Sequence, residues 1–234
     1  MKKRMGWLTL MLLTVISAAA DQERQKELKP GVVWTSRQYD KLYGYQQNIN
    51  ILSLDLTRKE IVLRPALGKI GEEKTSSTAA RLGALAGVNG GYFSQGKSVS
   101  MVKLDGNVLV TNPDFRPPRT TLGLNPGQAL IRRVAFDDSW PEASCALGGG
   151  PNLLTASEVK ITRADEGFDS SYEARRPHTA AGLTADRKLL LVTVDGRTAV
   201  AGGMTFPVLA AYMKSLGCTD AMRFDGGGST TLWL

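Results

Sequence analysis

Two aspartates, each followed by glycine, are the residues of this chain best suited to acid, base or nucleophilic work. Asp195 stands in Val194-Asp-Gly-Arg197, and Asp225 stands in Phe224-Asp-Gly-Gly-Gly-Ser-Thr-Thr231. A pair of carboxylates beside one scissile bond can supply an acid with a base, or an acid with a nucleophile. The run Gly226, Gly227, Gly228 adds a second capability. Glycine accepts the positive φ that lets successive N–H groups turn toward one anion. Ser229 and Thr230 add hydroxyls beside it. A tight turn between two strands accounts for the same glycines.

Three further positions invite the same question. Asn89, before Gly90 and Gly91, can donate to and accept from a sugar hydroxyl or a phosphate oxygen, or it can form an Asn-Gly hairpin turn. Arg119 follows Arg116-Pro117-Pro118, a stiff approach that suits a guanidinium aimed at phosphate or carboxylate; a surface arginine is the plainer alternative. His178 is the only histidine. Between Pro177 and Thr179 it is expected to be extended, and it could titrate near neutrality or serve a structural role.

The elements that must position these groups follow from pattern. Asp21–Lys29 is charged and reads as a frayed or loosely helical lead-in. Residues 49–56 and 61–63 read as strands, and 75–85 as a helix capped by Ser76 or Ser77, with Ala79, Leu82 and Leu85 on one face. Strands follow at 98–104 and 107–111 around the Asp105-Gly106 turn. Arg119–Ile131 resembles His178–Leu190, a weak internal repeat of a strand–turn–strand unit. Lys188–Val194 is a strand, Thr205 caps a helix with Pro207 in its first turn and Gly217 at its end, and Ala221–Phe224 is a short apolar strand. Strand, helix, strand implies two parallel strands joined by a crossover. Asp195 and Asp225 would then leave the same sheet edge, where open α/β sheets place ligands, unless one of them merely forms a turn. The fold expected is mixed α/β (α+β): one domain with a central mixed sheet flanked by helices.

Composition narrows the setting. Residues 1–20 have a basic start, an apolar run and Ala18-Ala19-Ala20, the marks of a secretory signal peptide too short to span a membrane. No cysteine follows the run, so no lipid or other stable membrane anchor is expected, and the chain reads as secreted or periplasmic. Residues 21–47 are taken as a lead-in and 48–234 as the domain. The net charge is +7, with three of the cations in the first twenty residues. The remaining basic residues are scattered, which argues against nucleic acid as a partner. Cys145 and Cys218 each precede a glycine-rich stretch, and in an exported chain they are expected to form a disulfide. One histidine and no dense acid cluster argue against a transition-metal cofactor and leave room only for weakly held Ca²⁺ or Mg²⁺.

Taken together, Asn89-Gly-Gly-Tyr-Phe93, Arg119-Thr-Thr-Leu-Gly123, Gly148-Gly-Gly-Pro151, Arg176-Pro-His-Thr-Ala-Ala-Gly182, Leu190–Arg197, Gly203-Met-Thr205 and Leu216-Gly-Cys218 running into Asp225–Thr231 resemble the phosphodiester glycosidase family, in the family's order. The resemblance implies hydrolysis of a sugar linked through its anomeric carbon to a phosphodiester, here in an envelope polysaccharide or exopolysaccharide. It implies Asn89, Arg119, Asp195 and Asp225 in or near the site, with Gly90, Gly91 and the later glycine loop around the phosphate. His178 stands where the family commonly has arginine, which makes a second cationic contact pH-sensitive. The chain stops at Leu234, earlier than the family pattern, and a non-catalytic module that binds anionic polysaccharide is the alternative. On this reading Arg119 and the amides of Gly226–Gly228 hold the phosphate. Asp225 and Asp195 act as nucleophile or base in an order left open, and His178 or a protonated Asp acts as acid.

Overall fold

The computed structural model describes residues 21–69, 73–111, 117–135 and 137–234. The expected signal peptide and Arg116 lie outside the described residues. Three long strands come first: β1 (Gln22–Lys29), β2 (Val32–Leu42) and β3 (Tyr45–Asp55). Helix α1 (Thr75–Arg81) precedes β4 (Gly87–Val88), β5 (Phe93–Ser94) and β6 (Lys97–Ser98). Two hairpins follow, β7 (Val102–Leu104) with β8 (Asn107–Val110) and β9 (Arg119–Asn125) with β10 (Gln128–Val134). Next come β11 (Cys145–Gly148), β12 (Asn152–Thr155) and β13 (Glu158–Val159). The chain closes with β14 (His178–Thr184), β15 (Lys188–Val194), α2 (Phe206–Ser215), β16 (Cys218–Arg223) and β17 (Leu232–Trp233).

The fold is mixed but dominated by strands. An eight-stranded sheet runs β1-β2-β3-β15-β14-β16-β12-β13, and a five-stranded sheet runs β10-β9-β11-β7-β8. Both are antiparallel at every pairing, not mixed as expected. The unit β15–α2–β16 does return in the same direction, because both strands run antiparallel to β14, which lies between them.

The two faces of the large sheet bury different partners. One face packs Ile49, Val192, Val194 and Ala180 against Phe206, Leu209 and Met213 of α2. The other packs Leu52, Leu54, Leu189 and Phe224 against Leu122 and Leu124 of the smaller sheet. Each such valine, leucine, isoleucine, phenylalanine or methionine, fully buried, stabilises the fold by roughly 1.5–3 kcal/mol. Helix α2 forms as its sequence dictates: the Thr205 hydroxyl accepts from Val208 N–H at 3.5 Å, proline occupies the first turn, and Gly217 follows the end at φ +83°.

Several expectations need correction. Asp21–Lys29 is neither frayed nor helical: Gln22–Lys29 is β1, paired along β2. Residues 61–63 form no strand. Helix α1 ends at Arg81, and its cap position is Lys74 with no side-chain hydrogen bond, so neither Ser76 nor Ser77 caps it. Leu82 and Leu85 are exposed, and of the apolar face only Ala79 is buried. Cys145 and Cys218 are free thiols. Cys145 belongs to the core between the two sheets, and Cys218 to the core under α2. They lie in separate cores on the two faces of the large sheet. Burial pushes the Cys218 thiol up to about 12.

Candidate active site

The glycine motifs converge on one edge of the large sheet. Cross-strand pairing sets His178 opposite Val194 and Ala180 opposite Arg223, so β14 begins where β15 and β16 end. Asp195 and Asp225 therefore leave the same edge, on either side of the residues that start β14. Hydrogen bonds tie the segments together. Asp225 N–H donates to Gly90 O at 3.1 Å, Gly227 N–H to Pro177 O at 3.0 Å, and Gly150 N–H to Arg223 O at 2.8 Å.

Asn89 is the pin of this arrangement. Its Nδ2 donates to Asp225 O at 2.9 Å, and its Oδ1 accepts from the Thr179 hydroxyl at 2.6 Å and from Thr231 N–H at 3.0 Å. Its polar atoms are engaged by protein, so its place is to fix the backbone that carries Asp225.

The glycines are packing positions more than a cradle. A Cβ on Gly91 would overlap the Gly148 carbonyl, and one on Gly226 would overlap the Arg223 guanidinium and meet Pro177 O at 2.6 Å. The loop amides are mostly occupied. Gly226 N–H donates to Asp225 Oδ1 at 2.7 Å, Ser229 N–H to Gly226 O at 3.2 Å, and Thr230 N–H to Gly227 O at 3.3 Å. Gly228 differs: it is exposed, nothing lies within 4 Å of its Cβ position, and its N–H has no acceptor among the described residues. Thr230 Oγ1 is buried without a hydrogen-bond partner among the described residues.

Behind the loops stands a buried wall. Arg223, 1 % exposed, donates from Nε to His178 Nδ1 at 2.8 Å and from Nη1 to the Tyr92 hydroxyl, which itself donates to Gly150 O at 2.9 Å. His178 is fully buried, with Nε2 on Met204 O at 2.7 Å. Since Nδ1 accepts, Nε2 carries the proton and donates, and the ring is neutral. Burial first, and then the Arg223 charge, hold its pKa well below the ordinary histidine value. A ring with both nitrogens engaged and no route to solvent orients Arg223; it is not placed to hand a proton to a substrate. Arg119 is also buried, its guanidinium 4.1 Å from the centre of the Phe168 ring and 6.0 Å from that of Tyr92. Glu166 closes the wall: its buried carboxylate accepts from Thr120 N–H at 2.7 Å, the Thr120 hydroxyl at 2.6 Å, Asn152 N–H at 2.9 Å and the Thr162 hydroxyl.

In front is a rim that water reaches. Asp195 is anchored through its N–H to Asn48 O at 2.9 Å, and its carboxyl has no hydrogen-bond partner among the described residues. Although it is exposed, the protein around it withdraws enough water to raise its pKa above the ordinary carboxylate value. Asp225 is half-buried, with Oδ2 free of protein partners among the described residues. Exposed Arg197, at φ +61°, holds its guanidinium 3.5 Å from where a Cβ on Gly227 would sit. Beside Asp195 opens a cleft of about 490 Å³, walled by Trp34, Asn50 and Thr193 and by residues 230–234.

Sequence reasoning passed over Tyr92, Glu166 and Arg223. Tyr92 lies inside a quoted motif, and an arginine in the otherwise apolar stretch Ala221–Phe224 was the visible signal for Arg223. Glu166 gave no signal, since its partners lie on three separate segments. Among the described residues, no three His, Cys, Asp or Glu side chains converge as metal ligands would. No helix among them is long and apolar enough to cross a membrane.

Known proteins share the fold or a stretch of the sequence. The chain is 38% identical over 61 residues to the SPbeta prophage-derived uncharacterized protein YomE of Bacillus subtilis (strain 168), a match over 26% of this chain and 10% of that one. A Synechocystis structure with no stated activity superposes with a TM-score of 0.79 at 15% identity, over 91% of this chain and 59% of the other. The catalytic domain of zebrafish N-acetylglucosamine-1-phosphodiester alpha-N-acetylglucosaminidase, auto-inhibited by its pro-peptide, superposes at 0.69 with 20% identity, over 94% and 75%. A Burkholderia pseudomallei K96243 protein described as exported gives 0.67 at 18%, over 85% and 72%. At these identities the solved structures speak for the fold. The chain spans about a tenth of the curated relative and 59% of the Synechocystis protein. The phosphodiester glycosidase family matches residues 82–234, well over half of the sequence, and the chain belongs to that family.

Proposed function

We propose that this chain is an exported hydrolase that releases a sugar from a phosphodiester joined to its anomeric carbon, acting on a glycan of the envelope or its surroundings. The bond between the anomeric carbon and the phosphodiester oxygen breaks, water supplies the new hydroxyl, and a phosphate monoester leaves. Family membership supports the reaction class. The observation that carries the reading is the pair of carboxylates at one sheet edge, each with an oxygen that protein groups leave open.

Asp225 takes the role of nucleophile or base. Its backbone is pinned at both ends by Asn89 and Gly90, and its Oδ1 is oriented by Gly226 N–H, which leaves Oδ2 forward. Asp195, whose proton is held more tightly than an ordinary carboxyl's, takes the role of acid. Phosphate is contacted by Arg197 and by Gly228 N–H, while Arg119 and Arg223 contribute positive potential from behind the loops. His178 belongs to that framework, not to the proton path. Residues 48–234 form the catalytic unit together with β1 and β2, which extend its large sheet, and residues 1–20 direct export.

The test is release of free sugar from a synthetic sugar 1-phosphodiester, measured for the wild type and for Asp225→Asn. Release that disappears in the variant supports the reading. Retention of the compound without cleavage by the wild type would replace it with a binding module.

A further inference from the structure

The cleft beside Asp195 is larger than a carboxylate pair needs. Its volume of about 490 Å³ lies in the range of about 300–1,000 Å³ usual for small-molecule sites. Strand register builds one wall. Thr193 pairs with Asn50, and Asn50 with Ser36, so the three side chains point to one face of the sheet. Trp34, two residues from Ser36, shares that face and donates from Nε1 to Asn50 Oδ1 at 3.2 Å. Trp233 contributes a second indole from β17. A separate, smaller hollow of about 60 Å³ also touches Trp34 and is lined by Gln22, Arg24, Ser36 and Gln38 of β1 and β2. The path therefore leads from Asp195 past Thr193 on β15 and Asn50 on β3 to Trp34 on β2.

The chemistry of the path selects its ligand. The main cleft is lined by two indoles, two leucines, an amide, hydroxyls and the Asp195 carboxylate, with no cation, so a polyanion gains nothing there. An apolar peptide would leave Thr193, Asp195 and the Asn50 side-chain N–H groups without water or partners, which is costly. A sugar ring offers an apolar C–H face to an indole and hydroxyls to an amide or carboxylate. Trp34 and Asn50 lie N-terminal to residues 82–234, outside the family match.

We propose that this cleft binds a run of neutral sugar rings and feeds its end to Asp195, so that the substrate is an oligosaccharide or polysaccharide and not a lone sugar phosphodiester. The cleft's link to Asp195 rests on the hydrolase reading; its ligand class does not.

Isothermal titration calorimetry of the full chain tests it, with neutral hexasaccharides of β-linked N-acetylglucosamine, β-linked glucose and α-linked glucose. Glucose, N-acetylglucosamine and inorganic phosphate are the controls. At least one hexamer should bind at millimolar concentration or below, more tightly than every control. Trp34→Leu and Trp233→Leu should each weaken it roughly tenfold, while Trp34→Phe holds most of the affinity. Circular dichroism checks folding, and Trp233→Leu, on a two-residue peripheral strand, carries the test should Trp34→Leu unfold. No hexamer binding, or undiminished binding by the folded leucine variants, overturns the proposal. Sugar release from a small phosphodiester is measured alongside. Hexamer binding without release refutes the hydrolase reading alone, and release without hexamer binding refutes this one alone.

Discussion

His178 and Asp195 stand at the ends of neighbouring strands, yet water reaches only one of them. His178 opens β14 with both ring nitrogens held by protein, one by Arg223 and one by Met204. Asp195 follows β15 with its carboxyl at the surface and no such partner among the described residues. The same contrast divides the whole sheet edge. Arg223, Glu166, Tyr92, Asn89 and Gly226 form a wall whose hydrogen bonds are made within the protein. Asp195, Arg197, Asp225 Oδ2 and Gly228 form a rim with open capacity. Rare or motif-bound residues are therefore divided between building the site and facing its ligand, and hydrogen-bond occupancy separates the two roles where residue type does not.

The sharpest way to break this division is to disturb the wall. Gly226→Ala places a methyl group into the Arg223 guanidinium and the Pro177 carbonyl, neither of which can move freely. It should destabilise the fold by about 3 kcal/mol in urea denaturation. A change within the error of the wild type would mean that the loop is not packed as described. At the rim, Asp195→Asn should lower sugar release by about a hundredfold and leave the urea midpoint in place. Loss of both together would move Asp195 into the framework.

The neutral, buried state of His178 has a weaker consequence, visible in pH. Its folded pKa is depressed, so the unfolded chain binds the proton first as pH falls. Stability is then full above about pH 6.5 and declines below it, by at most about 1.4 kcal/mol per pH unit. Asp195, with its raised pKa, acts in the opposite sense nearer the carboxylate range. Urea melts from pH 8 to pH 5 should show the decline, and His178→Asn should flatten it. A flat wild-type profile would mean the histidine is not shielded. The smallest effect is expected at Gly228→Ala, which meets open space and should shift stability by less than about 0.5 kcal/mol.

How far the sequence carried depended on the range of each signal. Thr205, Pro207 and Gly217 mark α2 because caps act over one turn, and the strand–helix–strand pattern correctly brought Asp195 and Asp225 to one edge. β1 escaped because it pairs only with β2 at the sheet margin and buries almost nothing, so no apolar alternation marks it. The segments Arg119–Ile131 and His178–Leu190 both open on hairpins, but these lie in different sheets. Cysteine spacing could not reveal that the large sheet separates the two thiols. The amides of the glycine loop looked free because one of their acceptors, Pro177 O, lies some fifty residues away in the chain.

On the proposed mechanism Asp225, held by Asn89 and Gly90 but open at Oδ2, attacks or activates at the anomeric carbon. The decisive comparison is sugar release from a sugar 1-phosphodiester by the wild type and by Asp225→Asn at matched folded concentration. The wild type should release sugar, and the variant should lose about a hundredfold or more of that rate with an unchanged urea midpoint. Equal rates in the two proteins would contradict it.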